Sequence, residues 1–240
     1  MGTPQGGVIS PLLANVYLHE LDLRWHRKGG PRESCDARLV RYADDFVVLA
    51  RSIGPSVQEF LTGLLEGKMG LRLNSSKTRI LDLREAGASL DFLGYTFRFD
   101  RDLKGRDKRY LNLFPSKKSL GRRRIEVKNL TCSRNKARLT DLIGEMNRSL
   151  LSWGRYFAQG YPSAAFRQMD AYVRVRVGRF LRNRSQRRMR PPQGTTEYSW
   201  LSSLGLVRLA DSETIAYLRG QGPPPACRRA GCGKSASPVR

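Results

Sequence analysis

The period of the apolar positions changes several times along this 240-residue chain, and each change marks an element. Leu39-Val40-Arg41-Tyr42 and Phe46-Val47-Val48-Leu49-Ala50 are short runs rich in Val, Leu and aromatic residues, and they flank the adjacent acids Asp44 and Asp45. That pattern predicts a β-hairpin with both carboxylates at its turn. The second run contains no Gly, Pro or polar residue, which predicts a strand buried on both faces. Upstream, Leu12, Leu13, Val16, Tyr17 and Leu21 share one helical face, with Ser10 placed as N-cap and Pro11 in the first helical position. The helix is expected to run to about residue 27, where Gly29-Gly30-Pro31 stops it. Downstream, Ser56-Val57-Gln58-Glu59 has capping-box spacing, and Val57, Phe60, Leu61, Leu64 and Leu65 keep a helical period as far as Gly70. Residues 71–74 and 77–83 read as two short strands. Residues 90–99 read as one longer strand with Leu93, Tyr95, Phe97 and Phe99 on one side. A charged loop over 100–109 and a strand over 110–114 would complete a hairpin.

After Pro115 the period turns helical. Leu139, Leu142, Ile143, Met146, Leu150, Trp153 and Phe157 form one stripe, and Phe166, Met169, Val173, Val177 and Phe180 form a second, with Gly160-Tyr161-Pro162-Ser163 between them. A cluster of Trp200, Leu201, Leu204 and Leu206 suggests a last helix. The fold class expected is therefore α+β: an antiparallel sheet with packed helices over 1–114, an all-α domain over 115–210, and a basic tail over 211–240 read as disordered.

Charge narrows the partner. The formal net charge is +23, from 44 Lys and Arg against 21 Asp and Glu, which points to a polyanion such as nucleic acid or an anionic membrane surface. Between residues 117 and 190 the balance is 20 basic to four acidic. Arg174, Arg176, Arg179, Arg182, Arg184, Arg187 and Arg188 recur there at a density beyond that of a mixed solvated face, and the planar arginine fork suits phosphate. No apolar run approaches the ~20 residues that span a bilayer, and no secretory signal follows Met1, so the expectation is a cytoplasmic protein with no membrane partner. Cys35, Cys132, Cys227 and Cys232 lack the paired spacing of a zinc site and read as free thiols. The only histidines are His19 and His26, which leaves no histidine chemistry further along the chain.

Adjacent aspartates on a tight turn often do no more than cap local N–H groups. Placed at a rigid strand end, they also suit Mg²⁺, a hard cation that takes carboxylate oxygens and keeps positions for water and phosphate. Two such ions can clamp a phosphoryl transfer.

Tyr42-Ala43-Asp44-Asp45 resembles the Tyr-x-Asp-Asp box of reverse transcriptases, and Arg41 to Val47 is similar to its version in group II intron proteins. Other strings stand in the same order as in that family. Pro4-Gln5-Gly6-Gly7 with Ser10-Pro11 resembles the Gln-Gly box, Gly70-Leu71-Arg72-Leu73-Asn74 with Lys77-Thr78 resembles the following box, and Phe92-Leu93-Gly94 resembles the primer grip. Leu150-Leu151-Ser152-Trp153-Gly154-Arg155-Tyr156-Phe157 is similar to the maturase (thumb) signature.

The resemblance implies a partial polymerase palm followed by a helical thumb, acting in RNA-directed DNA synthesis, intron splicing and retrohoming. It gives Asp44 and Asp45 to catalysis and Mg²⁺, Gln5, Gly6, Tyr42 and Lys77 to the nucleotide, and Phe92, Leu93 and Gly94 to the primer. Arg174, Arg176, Arg179 and Arg187 fall to intron RNA. The family site also uses an aspartate upstream of the Gln-Gly box. The chain is therefore expected to be N-terminally truncated and inactive alone. A separate polypeptide would supply fingers and upstream palm if the protein is split, and otherwise the chain would be a non-catalytic RNA-binding remnant.

Overall fold

The computed structural model describes residues 9–74, 76–101, 109–184 and 191–225, so Gln5, Gly6 and Arg187 lie outside the described residues. Packing divides the chain into two compact units, Met1–Asp82 and Leu83–Arg240.

In the first unit, α1 (Ser10–His26) begins with Pro in its opening turn, but the N-cap position falls on Ile9 and carries no side-chain cap, so Ser10 is already helical. The buried face also differs from the expected one. Leu18, Leu21 and Trp25 are buried, whereas Leu12, Leu13, Val16 and Tyr17 are exposed. Trp25 decides the orientation. Its indole N–H donates to the Ala37 carbonyl at 2.8 Å, and its ring meets Phe60 edge-on at 5.8 Å. A buried Trp needs both an apolar bed and a partner for its N–H.

After a single turn, α2 (Pro31–Ser34), the predicted hairpin forms from β1 (Arg38–Tyr42) and β2 (Asp45–Leu49). Pairing of Tyr42 with Asp45 leaves Ala43 and Asp44 as a two-residue turn. The expectation that β2 is buried on both faces fails: Phe46, Val47 and Val48 are half-buried and Leu49 is exposed. Among the described residues the sheet has two strands, and its Leu39, Phe46 and Val48 pack against the core formed with α1 and the following helix.

That helix, α3 (Pro55–Thr62), starts from Gly54 with no side-chain cap, so the capping box at Ser56 does not form; Pro55 in the first turn begins the helix instead. It runs on into a π-helical turn, Gly63–Lys68, which buries Leu64 and Leu65. The strands expected at 71–74 and 77–83 are absent among the described residues. Asn74 forms a turn there, its side-chain oxygen accepting from Ser76 Oγ at 2.6 Å and from the Lys77 N–H at 3.3 Å. A short polar side chain that bonds its own backbone competes with a strand ladder.

The second unit opens with a three-stranded antiparallel sheet, β3 (Ser89–Phe92), β4 (Tyr95–Arg101) and β5 (Arg109–Pro115), in the order β3-β4-β5. The single strand expected over 90–99 is broken by a turn at Leu93 and Gly94, whose φ values are +49° and +81°. Consecutive left-handed residues suit a two-residue hairpin turn, and Phe92 pairs with Tyr95 across it. The β4–β5 hairpin forms as expected.

Helices follow. Ser116 caps α4 (Lys117–Leu130), accepting from the Ser119 N–H at 3.2 Å. Both predicted stripes are core. Leu142, Ile143, Met146, Leu150, Trp153 and Phe157 are buried on α5 (Leu139–Phe157), as are Phe166, Met169, Val173, Val177 and Phe180 on α6 (Ser163–Arg184). Each fully buried side chain of this size stabilises by roughly 1.5–3 kcal/mol. Between the two helices the chain passes close to β5: Tyr161 N–H donates to Leu113 O at 2.9 Å, and a Cβ on Gly160 would stand 2.5 Å from that oxygen.

A short helix, α7 (Glu197–Ser203), fits the Trp200 cluster. Residues 211–225 depart from the disordered reading, since α8 (Ser212–Leu218) forms and buries Thr214 and Leu218. Leu218 joins the helical core, and the loop leading to α8 is fastened from beneath. Asn147 bonds Gly205 O and Val207 N–H, while Asp170 accepts from the N–H groups of Leu209 and Ala210 at 3.0 and 2.9 Å. Among the described residues, no helix is long and apolar enough to cross a membrane.

Candidate functional site

Asp44 and Asp45 are exposed at the tip of the β1–β2 hairpin. Neither carboxylate takes part in a hydrogen bond or ion pair among the described residues. Tyr42, 65% exposed, stands beside them. Ala43 holds φ at +54°, a left-handed conformation that costs a residue with a Cβ roughly 1–2 kcal/mol.

The neighbouring Arg41 explains how the turn is held. Its Nε and Nη2 donate to the two carboxylate oxygens of Asp22 on α1, at 3.0 and 2.5 Å. Its Nη1 donates to Asn15 Oδ1 and to the Ala43 carbonyl, both at 2.9 Å. Hydrogen bonding to Asp22 raises the Arg41 pKa above its ordinary value, so the fork stays charged.

Two free carboxylates fit a hard divalent cation as part of an oxygen donor set, leaving its other positions to water and phosphate. Among the described residues, no group of three His, Cys, Asp or Glu side chains could hold a metal. Lys77 is exposed on the Asn74 turn in the same unit.

In the second unit, the Phe92-Leu93-Gly94 string is a hairpin turn gripped from two sides. Gly94 O accepts from Ser116 N–H at 2.8 Å. Leu93 O accepts from the Tyr156 hydroxyl at 2.9 Å. A Cβ on Gly94 would touch the Phe157 ring at 3.4 Å. Tyr95, whose ring lies 4.7 Å from that of Phe157, donates its hydroxyl to the Tyr156 carbonyl.

The arginines divide into two groups. Arg176 serves the end of α4, with Nε donating to Thr131 Oγ1 at 3.0 Å and Nη2 to the carbonyls of Lys128 and Thr131. This is a C-terminal cap, which cations favour. Arg184 donates to Ala137 O at 2.5 Å, and Arg174 borders a small cleft beside Asp170. Arg179 and Arg182 are exposed and free of such partners among the described residues.

Sequence reasoning missed a further basic surface. On α4, Lys117, Lys118, Arg122 and Lys128 are exposed, while Arg123 turns inward to Ser149 and Glu126. The signal was present in composition: six of the 14 residues of this helix are Lys or Arg. No apolar stripe marked it, however, because only Val127 is a buried apolar residue there. The Arg41 brace was hidden too, since its partners lie on another element.

Residues 1–97 match the family model described as reverse transcriptase (RNA-dependent DNA polymerase). Residues 122–195 match that of the group II intron, maturase-specific domain. The chain belongs to the group II intron reverse transcriptase and maturase family. It is similar to protein YkfC of Escherichia coli (strain K12), 33% identical over 147 residues, covering 49% of this chain and 38% of that protein. It is also similar to the group II intron-encoded protein LtrA of Lactococcus lactis subsp. cremoris, 86% identical over 159 residues, covering 42% of this chain and 26% of that protein. The chain thus spans well under half the length of these relatives. Membership rests on the two domain matches and their order along the chain.

Proposed function

We propose that this reverse transcriptase and maturase chain binds group II intron RNA and a DNA primer, and that Asp44 and Asp45 hold Mg²⁺ for RNA-directed DNA synthesis. The observation that carries this reading is the pair of exposed, unpaired carboxylates at the tip of a braced hairpin, Asp44 in its two-residue turn and Asp45 at the start of β2. Mg²⁺ bound there would supply charge stabilisation for the transferring phosphate. The chain's own groups do the positioning. Lys77 meets phosphate oxygens, Tyr42 with Gln5 and Gly6 shapes the nucleotide pocket, and the turn at Phe92, Leu93 and Gly94 supports the primer end. The exposed Arg179 and Arg182, with Arg174 and Arg187, follow the RNA backbone together with the basic face of α4. Arg176 contributes by holding α4 in place.

Asp44 and Asp45 are two carboxylates where the family site uses three. Primer extension on an RNA template therefore tests the reading in two arms. The 240 residues alone are expected to bind primed template without extending it. Addition of a polypeptide carrying fingers, upstream palm and the third aspartate is expected to give extension that Asp44→Ala abolishes. Extension by the 240 residues alone would overturn the three-carboxylate requirement. Extension in the second arm that survives Asp44→Ala would overturn the role of the pair.

The free basic surface of α4 and α6 favours a second reading, in which the chain grips intron RNA and does no chemistry. RNA binding without extension in both arms would select it.

A further inference from the structure

We propose that Arg41 is the positioning residue of the Asp44–Asp45 pair, its guanidinium fastening the Ala43 carbonyl to Asp22 and Asn15 of α1 and so fixing the hairpin tip that carries both carboxylates. The proposal deepens the metal-holding reading above and rests on it for one of its two measurements.

The geometry makes the turn need a brace. Ala43 has φ +54° without being glycine, and among the described residues the hairpin is a two-stranded sheet, an arrangement marginal by itself. Asp44 and Asp45 have no side-chain partner among the described residues to set their direction. What holds the turn is Arg41, a single, largely buried side chain with 12% exposure. Three of its contacts run to α1, at 3.0 and 2.5 Å to Asp22 and 2.9 Å to Asn15, and the fourth runs 2.9 Å to the Ala43 carbonyl. A planar fork can make all four at once, whereas a lysine ammonium, a compact point charge on a flexible stem, cannot hold that geometry. Asp22 takes up the guanidinium charge, so Arg41 orders the turn without pairing with either Asp44 or Asp45.

Positioning and plain electrostatics predict opposite signs. If Arg41 acted only through its charge, removing it would leave Asp22 uncompensated near the pair and strengthen cation binding. Exchange for Lys would then change little. If Arg41 positions the turn, both changes weaken binding.

The test uses the whole 240-residue chain and Mn²⁺ as the spectroscopic stand-in for Mg²⁺, with affinity read by electron paramagnetic resonance. Amide hydrogen exchange across residues 43–45 is read in parallel. Arg41→Lys is expected to keep the native thermal transition, bind Mn²⁺ about tenfold more weakly than the parent, and exchange faster at the turn. Arg41→Met is expected to do the same. Unchanged affinity in Arg41→Lys together with tighter binding in Arg41→Met would overturn the proposal.

If the parent and the Asp44→Asn, Asp45→Asn double variant bind Mn²⁺ equally, the metal-holding reading fails, and exchange alone decides. Faster exchange at 43–45 in Arg41→Lys upholds the brace, and unchanged exchange overturns it. Should Arg41→Lys unfold, Asp22→Asn takes its place, since it keeps Arg41 and loosens the fork. Faster exchange at the turn in that variant supports the proposal, and parental exchange sinks it.

Discussion

The Tyr156 hydroxyl donates to the Leu93 carbonyl at 2.9 Å, so the helix bearing the maturase signature holds the turn of the Phe92-Leu93-Gly94 box. Both lie within the second compact unit, although in sequence they fall on opposite sides of the change from strand to helix period. The neighbouring hydroxyl of Tyr95 bonds back to the Tyr156 carbonyl, and Phe157 packs under Gly94.

Tyr156→Phe keeps the ring and removes one hydrogen bond. It is expected to destabilise by about 1 kcal/mol and to raise amide exchange at residues 93–94, while the helical core stays protected. Urea unfolding with residue-resolved exchange checks this. Equal exchange in parent and variant would mean that Ser116 and Phe157 hold the turn unaided.

Asp170 gives the second unit a pH signature. Burial pushes its pKa up to about 6, against the lowering effect of the two N–H groups that bond it. A folded-state pKa above the unfolded one means that the native state binds the proton more tightly. The associated stability is therefore present at about pH 4 and lost as pH rises through about 6. The full swing is on the order of 3 kcal/mol. Asp170→Asn should flatten that part of the stability profile, and parallel profiles for parent and variant between pH 4 and 7 would contradict the assignment.

Arg176→Ala is expected to act through stability. It removes the cap on the last carbonyls of α4, at a cost of about 1–2 kcal/mol, and should leave the salt dependence of RNA binding unchanged. Thermal unfolding and a salt titration on the same variant separate the two effects. A flatter salt dependence with parental stability would assign Arg176 to phosphate.

The helical stripes were legible because a period that buries Leu142, Met146, Leu150, Trp153 and Phe157 together leaves one arrangement for the helix. The Asp44–Asp45 hairpin was legible for a similar reason, with two β-rich runs around a two-residue turn. The buried face of α1 was not. Its apolar residues occupy most of the circumference, and only the contacts of Trp25 with Ala37 and Phe60 select Leu18, Leu21 and Trp25. The turn inside 90–99 escaped because Leu93 is not a turn-forming residue. It adopts φ +49° where Tyr156 and Phe157 pack around the turn. Arginine roles were the least legible, since density along α6 does not tell Arg176, which serves a helix end, from Arg179, which faces solvent.

The most direct test of the nucleic-acid reading is the salt dependence of binding to a structured RNA, measured for the 240-residue chain and for a variant with Lys118, Arg122, Arg179 and Arg182 replaced by Ala. All four are exposed, so the fold should survive. Each lost phosphate contact should reduce the slope of log affinity against log salt by roughly 0.7–0.9. The slope of the variant is expected to be shallower by about 3, with an unchanged thermal transition. A slope equal to that of the parent would contradict this and place the RNA on another surface.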